Sequence, residues 1–214
     1  MVKKDLIENT GIPADKIHHV GGGSSIDVTK IDHSQKQGYR FLFVGNRWNI
    51  KNGDLVVAAF KKLSAMYPDR TPELYVAGPS EMPECIKGQD NIFFLGRLSH
   101  EDLIYYYNLC DYYVMPSKCD AYGLVFIEAL CFGLPCIGKN LHAMPEFIQN
   151  GQNGYLIEND DVDELTDAMG RLLCNGQEIV RYVRDHKDYY INRYSWDSVA
   201  DRIIQVLRQD GYLD

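Results

Sequence analysis

The chain has 214 residues, of which 45% are hydrophobic and 24% charged, and its formal net charge is -8. This length suits one domain with a substantial core and is too short for two full α/β domains. The basic residues of this acidic chain do not cluster, so we expect no nucleic-acid partner. The six cysteines lack metal-ligand spacing. They are typical of free thiols in a reducing cytosol, which predicts a cytoplasmic protein without a bound metal.

The first 38 residues carry little regular pattern. Residues 2–9 predict a helix that stops at Gly11, and residues 17–20 predict a short strand. The polar stretch over residues 21–38 is typical of a loose linker. Its triple glycine is not followed by the Lys-Ser/Thr pair of a phosphate-binding loop, so we interpret it as part of that linker.

Strand and helix patterns alternate from residue 39 almost to the end of the chain. Buried-type strands are predicted at RFLFVG, ELYVAG, NIFFLG, DYYVMPS, LPCIG and YLI. Capping boxes at Ser99 and Asp161 open two of the helices, and helical patterns over residues 178–192 and 195–208 close the chain. This alternation predicts an α/β fold: a doubly wound, mostly parallel, six-stranded Rossmann-like sheet with helices on both faces.

The loop after the first strand is a candidate anion site, because ligands of such sheets bind at the carboxyl ends of the strands. It contains Gly45, Arg47 and Lys51 and leads into a helix. A helix N-terminus offers free N–H groups and a partial positive charge, and two cations beside it would hold a diphosphate. A solvated basic loop explains the same residues.

A second candidate site lies in residues 117–128. Asp120 falls in a strand-to-helix loop, Gly123 allows close approach of the backbone at the helix start, and Glu128 lies further along that helix. N–H groups for phosphate and carboxylates for sugar hydroxyls would together suit a nucleotide-sugar. The alternatives are an N-cap role for Asp120 and a solvent-facing position for Glu128.

Several segments of the sequence resemble those of a known enzyme family. DAYGLVFIEALCFGLPCIG resembles the signature of the retaining GT-B glycosyltransferases, which include sucrose synthase, glycogen synthase and bacterial mannosyl- and glucosyltransferases. In that signature seven residues separate two acidic positions, and G-L-P follows. FLFVGNRWNIKNGD resembles the family's phosphate-binding loop, and YSWDSVADRIIQVL resembles its C-terminal helix. The resemblance covers about residues 1–210 and implies the donor-binding domain of a hexosyltransferase of polysaccharide biosynthesis.

The resemblance also implies roles for single residues. Lys51 and Arg47 would meet the donor diphosphate, Asp120 would hold the transferred sugar, and these three are the candidate catalytic residues. Glu128 would hold the ribose. The remaining residues of the implied donor pocket are Gly45, Arg97, Leu98, Ser117, Tyr122, Gly123, Leu124 and Val125, with the main chain at 97–98 against the base. No cofactor and no essential metal are expected, because family members hold the diphosphate with cations and helix dipoles.

The sequence departs from the family pattern at three places. The first acidic position is usually Glu and here is Asp120, one methylene shorter. The phosphate-binding Arg usually follows the glycine directly, but Asn46 stands there and Arg47 comes next. His142-Ala143 replaces the usual pair of glycines before Pro-Glu. These departures leave open a stand-alone nucleotide-binding or regulatory module without transferase activity. An NAD-dependent dehydrogenase would need G-x-G-x-x-G after the first strand, and that motif is absent.

The predicted organisation has three parts. Residues 1–38 would be the end of a preceding domain and a linker, residues 39–193 the nucleotide-sugar-binding domain, and residues 194–214 a C-terminal helix. We therefore expect the chain to be the C-terminal domain of a longer enzyme and to be inactive alone. The missing N-terminal domain would bind a glycan, lipid or small-molecule acceptor, and any peripheral membrane contact would come through it.

Overall fold

The computed structural model describes residues 2–213, with side chains from residue 6 onward. Within this range one sheet contains β1 to β6, which are Arg40–Val44, Glu73–Ala77, Ile92–Gly96, Tyr112–Val114, Cys136–Lys139 and Gly154–Ile157. The strands lie in the order β3-β2-β1-β4-β5-β6, and all neighbours are parallel. The predicted α/β, Rossmann-like sheet is confirmed.

Helices lie on both faces of this sheet. The helices of the described residues are α1 to α9, namely Val2–Thr10, Gly53–Met66, His100–Leu109, Leu124–Cys131, Met144–Phe147, Val162–Asn175, Gln177–Asp185, Lys187–Arg193 and Trp196–Gln209. No described helix is long and apolar enough to cross a bilayer. The predicted caps at Ser99 and Asp161 are confirmed, since their side chains accept hydrogen bonds from main-chain N–H groups in the first turns of α3 and α6.

Adjacent residues of the central strands face opposite layers. The Phe41 ring lies 6.3 Å from that of Phe60 in α2, and the Tyr112 hydroxyl donates to the Leu172 carbonyl in α6 at 3.0 Å. Tyr113 points the other way, with its ring 5.0 Å from that of Phe126 in α4. Because β1 and β4 are buried on both faces, their sequences are continuous hydrophobic runs rather than alternating ones.

The prediction of a short strand over residues 17–20 is wrong. The backbone is extended at Ile17, but no described strand lies beside the segment to form a ladder with it. A strand needs a neighbour for its N–H and C=O groups. The Val20 carbonyl instead accepts a hydrogen bond from the Arg202 guanidinium at 2.7 Å.

The polar stretch over residues 21–38 is more ordered than a loose linker. It contains a 3₁₀ turn over Val28–Lys30, and the Ile26 side chain is buried in the core. Lys36 donates to the Tyr107 carbonyl at 2.9 Å, and burial lowers the pKa of its ammonium to about 7. These contacts join residues about 70 positions apart, which local composition does not reveal.

The loops that follow β1 and β2 touch through their backbones. Gly78 has φ +117°, and a Cβ on it would lie 2.5 Å from the carbonyl carbon of Gly45. The Gly45 N–H in turn donates to the Ala77 carbonyl at 2.9 Å. The glycine after β2 therefore sets where the chain leaves β1.

We expect Gly78→Ala to destabilise the fold more than Gly88→Ala. Gly88 also has a positive φ, +71°, but nothing lies within 4 Å of an added Cβ there. Both variants should lose about 1–2 kcal/mol to the left-handed backbone. Crowding against Gly45 should add about 1–3 kcal/mol at Gly78. Thermal unfolding should place Gly78→Ala several degrees below Gly88→Ala, and equal melting temperatures would contradict the close approach.

Candidate functional site

A cleft opens where the strand order reverses. The chain order of the sheet turns back between β1 and β4, and ligands of doubly wound sheets bind at such a switch point. The cleft has a volume of ≈ 410 Å³ and lies between the loops that follow these two strands. It is lined by Val44, Gly45, Asn46, Arg47, Lys51, Asp120, Ala121, Tyr122, Gly123, Leu124 and Val125.

The loop after β1 positions Lys51 through a close approach to Gly45. A Cβ on Gly45 would lie 2.9 Å from the Lys51 Cβ and 2.7 Å from its Cγ, so only glycine admits the lysine stem here. The Lys51 N–H donates to the Arg47 carbonyl at 2.9 Å. Behind the loop, the Trp48 indole N–H donates to Asp54 at 2.9 Å and its ring covers Gly53. The aliphatic part of the Lys51 side chain is thus held in place, which limits where its ammonium can lie.

Lys51 and Asp120 form an ion pair across the cleft. The Lys51 Nζ lies 2.5 Å from Asp120 Oδ2, and the two side chains are only 19% and 15% exposed. The other carboxylate oxygen, Oδ1, accepts a hydrogen bond from the Gly123 N–H at 3.1 Å. Removing two charges from water is costly, and the hydrogen bond from Gly123 offsets part of that cost. It joins the two loops at the centre of the site.

The helix α4 starts at the cleft with glycine as its N-cap. Gly123 has φ +83° and occupies the cap position, so Asp120 is not the N-cap residue, although it accepts from the Gly123 N–H. A Cβ on Gly123 would lie 2.4 Å from the Met144 Cε. The first N–H groups of a helix have no partners within it, and the first residues of α4 line the cleft.

Ser117 lies beneath the cleft rather than on its wall. It is buried, and its hydroxyl donates to the Cys119 carbonyl at 2.8 Å and lies 3.2 Å from the Ile50 carbonyl. The Lys118 N–H reaches the same Ile50 carbonyl at 2.9 Å. Ser117 therefore fastens the loop that carries Asp120 to the loop that carries Lys51.

Glu128 is half-buried and contacts α3 through Tyr107. The Tyr107 hydroxyl donates to Glu128 Oε2 at 3.0 Å. Burial raises the pKa of the Glu128 carboxyl above its ordinary value, while hydrogen bonds from Tyr107 and Ser24 and the nearby His100 oppose that shift. Glu128 is not among the residues that line the cleft.

The other predicted site residues lie apart from the ion pair. Arg47 is exposed at the mouth of the cleft. Arg97 is exposed and Leu98 half-buried, and both follow β3 outside the cleft. They directly precede the Ser99 cap and His100, which opposes the rise in the pKa of the Glu128 carboxyl. The structure thus brings eight predicted residues to one cleft, places Ser117 beneath it and leaves Glu128, Arg97 and Leu98 outside its lining.

His142 departs from the family glycine but keeps a glycine-like backbone. Its φ is +56°, in the left-handed region. The acidic pair Asp160-Asp161 serves structural contacts: Asp160 accepts from Lys139 and Asn52, and Asp161 caps α6. Among residues 2–213 no three His, Cys, Asp or Glu side chains group as metal ligands.

A family model fits this fold and cleft. The model described as glycosyl transferases group 1 matches residues 38–175. The chain belongs to this glycosyltransferase family. It is 26% identical over 178 residues to the D-inositol 3-phosphate glycosyltransferase of Corynebacterium urealyticum, an alignment that covers 78% of this chain and 42% of that protein. The chain thus spans less than half of that relative.

Solved structures share the fold of this glycosyltransferase chain. A glycosyltransferase from Rickettsia africae superposes with a TM-score of 0.80 at 19% identity, over 97% of this chain and 61% of the other. The pneumococcal O-GlcNAc transferase GtfA, solved in complex with UDP and GlcNAc, gives a TM-score of 0.72 at 19% identity, over 97% and 42%. At these identities the likeness concerns the fold.

Sequence reasoning missed two hydroxyl groups that lie beside Glu128. Tyr107 is not among the residues that the sequence assigns to the site, and Ser24 falls in the predicted linker. Tyr107 lies 21 positions before Glu128, and Ser24 lies about a hundred positions before it. No local spacing links them, since they come together only when α3 and the glycine-rich segment, residues 21–25, pack beside α4.

We expect Glu128→Gln to stabilise the fold at neutral pH. Because burial raises the pKa of this carboxyl, the folded chain binds that proton more tightly than the unfolded chain does. The ionised group therefore costs stability above its folded pKa, and the cost disappears below the ordinary value of 4.5. The melting temperature of Glu128→Gln should exceed that of the native chain at neutral pH, and the gap should close as the pH falls.

The matched control is Glu101→Gln. Glu101 has a side chain that is 82% exposed and pairs with Lys30 at the surface. Its neutralisation should bring no such gain. A melting temperature of Glu128→Gln at or below the native value at neutral pH would contradict the cost of burying this charge.

Proposed function

We propose that the chain is the nucleotide-sugar-binding domain of a retaining hexosyltransferase. Its substrate would be a nucleoside-diphosphate sugar, and the hexose would pass to an acceptor with its anomeric configuration kept. The observation that carries this proposal is the cleft at the switch point, where Lys51, Asp120 and the start of α4 meet. The retaining course is supported by the acidic-x7-Glu signature, which resembles that of retaining enzymes.

The diphosphate would lie between the two loops of the cleft. Two of the lining residues, Arg47 and Lys51, are cations, against one anion, Asp120. Charge-assisted hydrogen bonds from these cations and the N–H groups at the helix starts would hold the phosphates. As the bond to the sugar breaks, the departing diphosphate gains negative charge, and the same groups would stabilise it without reorganisation. This arrangement works without an essential metal or cofactor.

The sugar would lie against Asp120 and the main chain of residues 122–125. A nucleotide-sugar would draw Lys51 toward its phosphates, since the ammonium already lies within the cleft. The Asp120 carboxylate would then accept from the sugar hydroxyls while Gly123 continues to orient it. Because Asp is one methylene shorter than Glu, the sugar would lie closer to the loop than in family members with Glu here.

The nucleoside would extend from the cleft toward α3. Glu128 would accept from the ribose hydroxyls, and the main chain at Arg97 and Leu98 would meet the base. The support for this direction is that His100, two residues after Leu98, acts on the Glu128 carboxyl. GtfA, which shares this fold, was solved with UDP and GlcNAc, a nucleoside diphosphate and a sugar.

The acceptor would be bound by a second domain that faces this cleft. The chain covers 42% of the D-inositol 3-phosphate glycosyltransferase and 61% of the Rickettsia africae enzyme, which leaves room for such a domain. We propose that the full enzyme is cytoplasmic and that any contact with a membrane comes through that domain. A single-turnover assay with a nucleotide-sugar tests this division, since detectable transfer by residues 1–214 alone would contradict it.

A binding or regulatory module without transfer remains the second candidate. The observation that favours it is that Lys51 already neutralises the Asp120 carboxylate, whereas the usual Arg position is Asn46. Both candidates require donor binding, so binding alone does not separate them. Turnover of a nucleotide-sugar by the full-length gene product would decide for the enzyme.

We expect the chain to bind UDP, GDP or ADP weakly, with a dissociation constant of roughly tens of micromolar to millimolar, about -4 to -6 kcal/mol. A cleft without a facing domain leaves the phosphates partly hydrated, and charged contacts are weak in a high dielectric. Binding should weaken as salt rises. Lys51→Ala should lower the affinity roughly 10- to 100-fold, the effect of one charge-assisted hydrogen bond.

The matched control for this measurement is Lys87→Ala. Lys87 is an exposed lysine outside the cleft and pairs with Glu84 three residues away. Calorimetry at two salt concentrations should find its affinity unchanged and that of Lys51→Ala reduced. No binding of any of the three diphosphates up to millimolar concentration would overturn the site.

The two carboxylates should differ in the ligands they affect. Glu128→Ala should weaken a nucleoside diphosphate and its nucleotide-sugar alike, roughly 10- to 100-fold, because both carry the ribose. Asp120→Ala should weaken only the nucleotide-sugar. It should leave the bare diphosphate bound at least as tightly, because it frees Lys51 from its ion pair. Affinities of both ligands should be measured by calorimetry on both variants. Equal losses at both positions would refute the division.

A further inference from the structure

The Tyr107 hydroxyl is aimed at the carboxylate of Glu128. The side chain is fully buried on α3, where its ring stacks on Phe132 with centroids 5.4 Å apart. The hydroxyl donates to Glu128 Oε2 at 3.0 Å and lies 3.5 Å from the Val125 carbonyl. The rigid ring, held by packing, fixes the position of this donor.

A second hydroxyl, that of Ser24 in the glycine-rich segment, lies near the same carboxyl and helps to lower its pKa against the effect of burial. The Ser24 N–H donates to the Tyr194 carbonyl at 2.9 Å. The next residue, Ser25, accepts from the Trp196 indole at 2.9 Å. The segment is thereby tied to the start of α9. Glu128 is held between two elements that are themselves anchored.

The hydrogen bond from Tyr107 to Glu128 does more than give a buried hydroxyl an acceptor. The Tyr107 hydroxyl could donate to a main-chain carbonyl, as the Tyr112 hydroxyl does to Leu172 and Gly38. It donates instead to a carboxylate whose burial costs stability. A glutamate side chain has several rotatable bonds, and fixing it in advance lowers the entropic cost of ligand binding.

We propose that Tyr107 is the positioning residue for the nucleoside-binding carboxylate. Its hydroxyl occupies one oxygen of Glu128, which turns the other oxygen toward the ribose hydroxyls of the donor. This inference rests on the proposed function and adds that the preference for ribose is set from beneath the site, by a residue that touches no ligand.

A carboxylate held in one orientation favours ligands with a 2′-hydroxyl. In the native chain the ribonucleoside diphosphate should bind more tightly than its 2′-deoxy counterpart. Without the Tyr107 hydroxyl, Glu128 samples several rotamers and the ribose contact weakens. The deoxy ligand makes less use of that contact, so its affinity should change little.

The experiment compares Tyr107→Phe with Tyr112→Phe. Both variants remove one hydroxyl from a buried tyrosine, but the Tyr112 hydroxyl bonds only main-chain carbonyls on the far side of the sheet. Calorimetry uses the tightest binder among UDP, GDP and ADP, together with its 2′-deoxy analogue. Tyr107→Phe should reduce the ribo-over-deoxy preference roughly 3- to 10-fold, the effect of one ordinary hydrogen bond. Tyr112→Phe should keep the preference.

Each result separates the two proposals. A preference unchanged in Tyr107→Phe, or equal losses for both ligands, overturns the positioning role while the donor site stands. A native chain that binds none of these diphosphates overturns the proposed function and this inference with it. Should Tyr107→Phe not fold, Ser24→Ala removes the second hydroxyl near Glu128 and should lower the preference by a smaller factor. An unchanged preference there overturns the inference.

Discussion

The reversal of chain order between β1 and β4 is the constraint on which the rest of the structure depends. Because the chain leaves these two neighbouring strands in opposite directions, their loops diverge and leave a cleft that no side chain of the sheet fills. The ion pair of Lys51 with Asp120 bridges that gap, and Ser117 fastens the two loops below it. The geometry of the candidate site is thus a direct consequence of strand order.

The charged side chains of the site lie where their removal from water costs the most free energy. Lys51 and Asp120 are largely withdrawn from water, and burial raises the pKa of the Glu128 carboxyl. A sheet buried on both faces, with the three central residues of β1 fully covered, supplies the stability that offsets these charges. Polar groups kept at a cost in stability are typical of binding sites, which is why the proposed function rests on them.

The parts of the chain that precede β1 and follow α8 support the site from outside. Arg202 of α9 donates to Val20, and Trp196 donates to Ser25, so the glycine-rich segment runs along the start of the last helix. A Cβ on Gly22 would lie 2.7 Å from the Tyr122 ring, a cleft residue. Glycine is needed here because the segment passes directly over that aromatic ring. The segment before β1 and the first half of α9 therefore lie beside Tyr122, at one wall of the cleft.

The sequence by itself determined the element order, the parallel sheet and the loops that carry Lys51 and Asp120. Hydrophobic runs, caps at Ser99 and Asp161 and the placement of glycines are local signals, and the structure confirmed the elements they predict. Tertiary structure alone decided that residues 17–20 form no strand, that the Asp120 carboxylate pairs with Lys51 and that Tyr107 holds Glu128. Those outcomes depend on groups 21 to 182 positions apart, and packing, rather than any local pattern, brings them together.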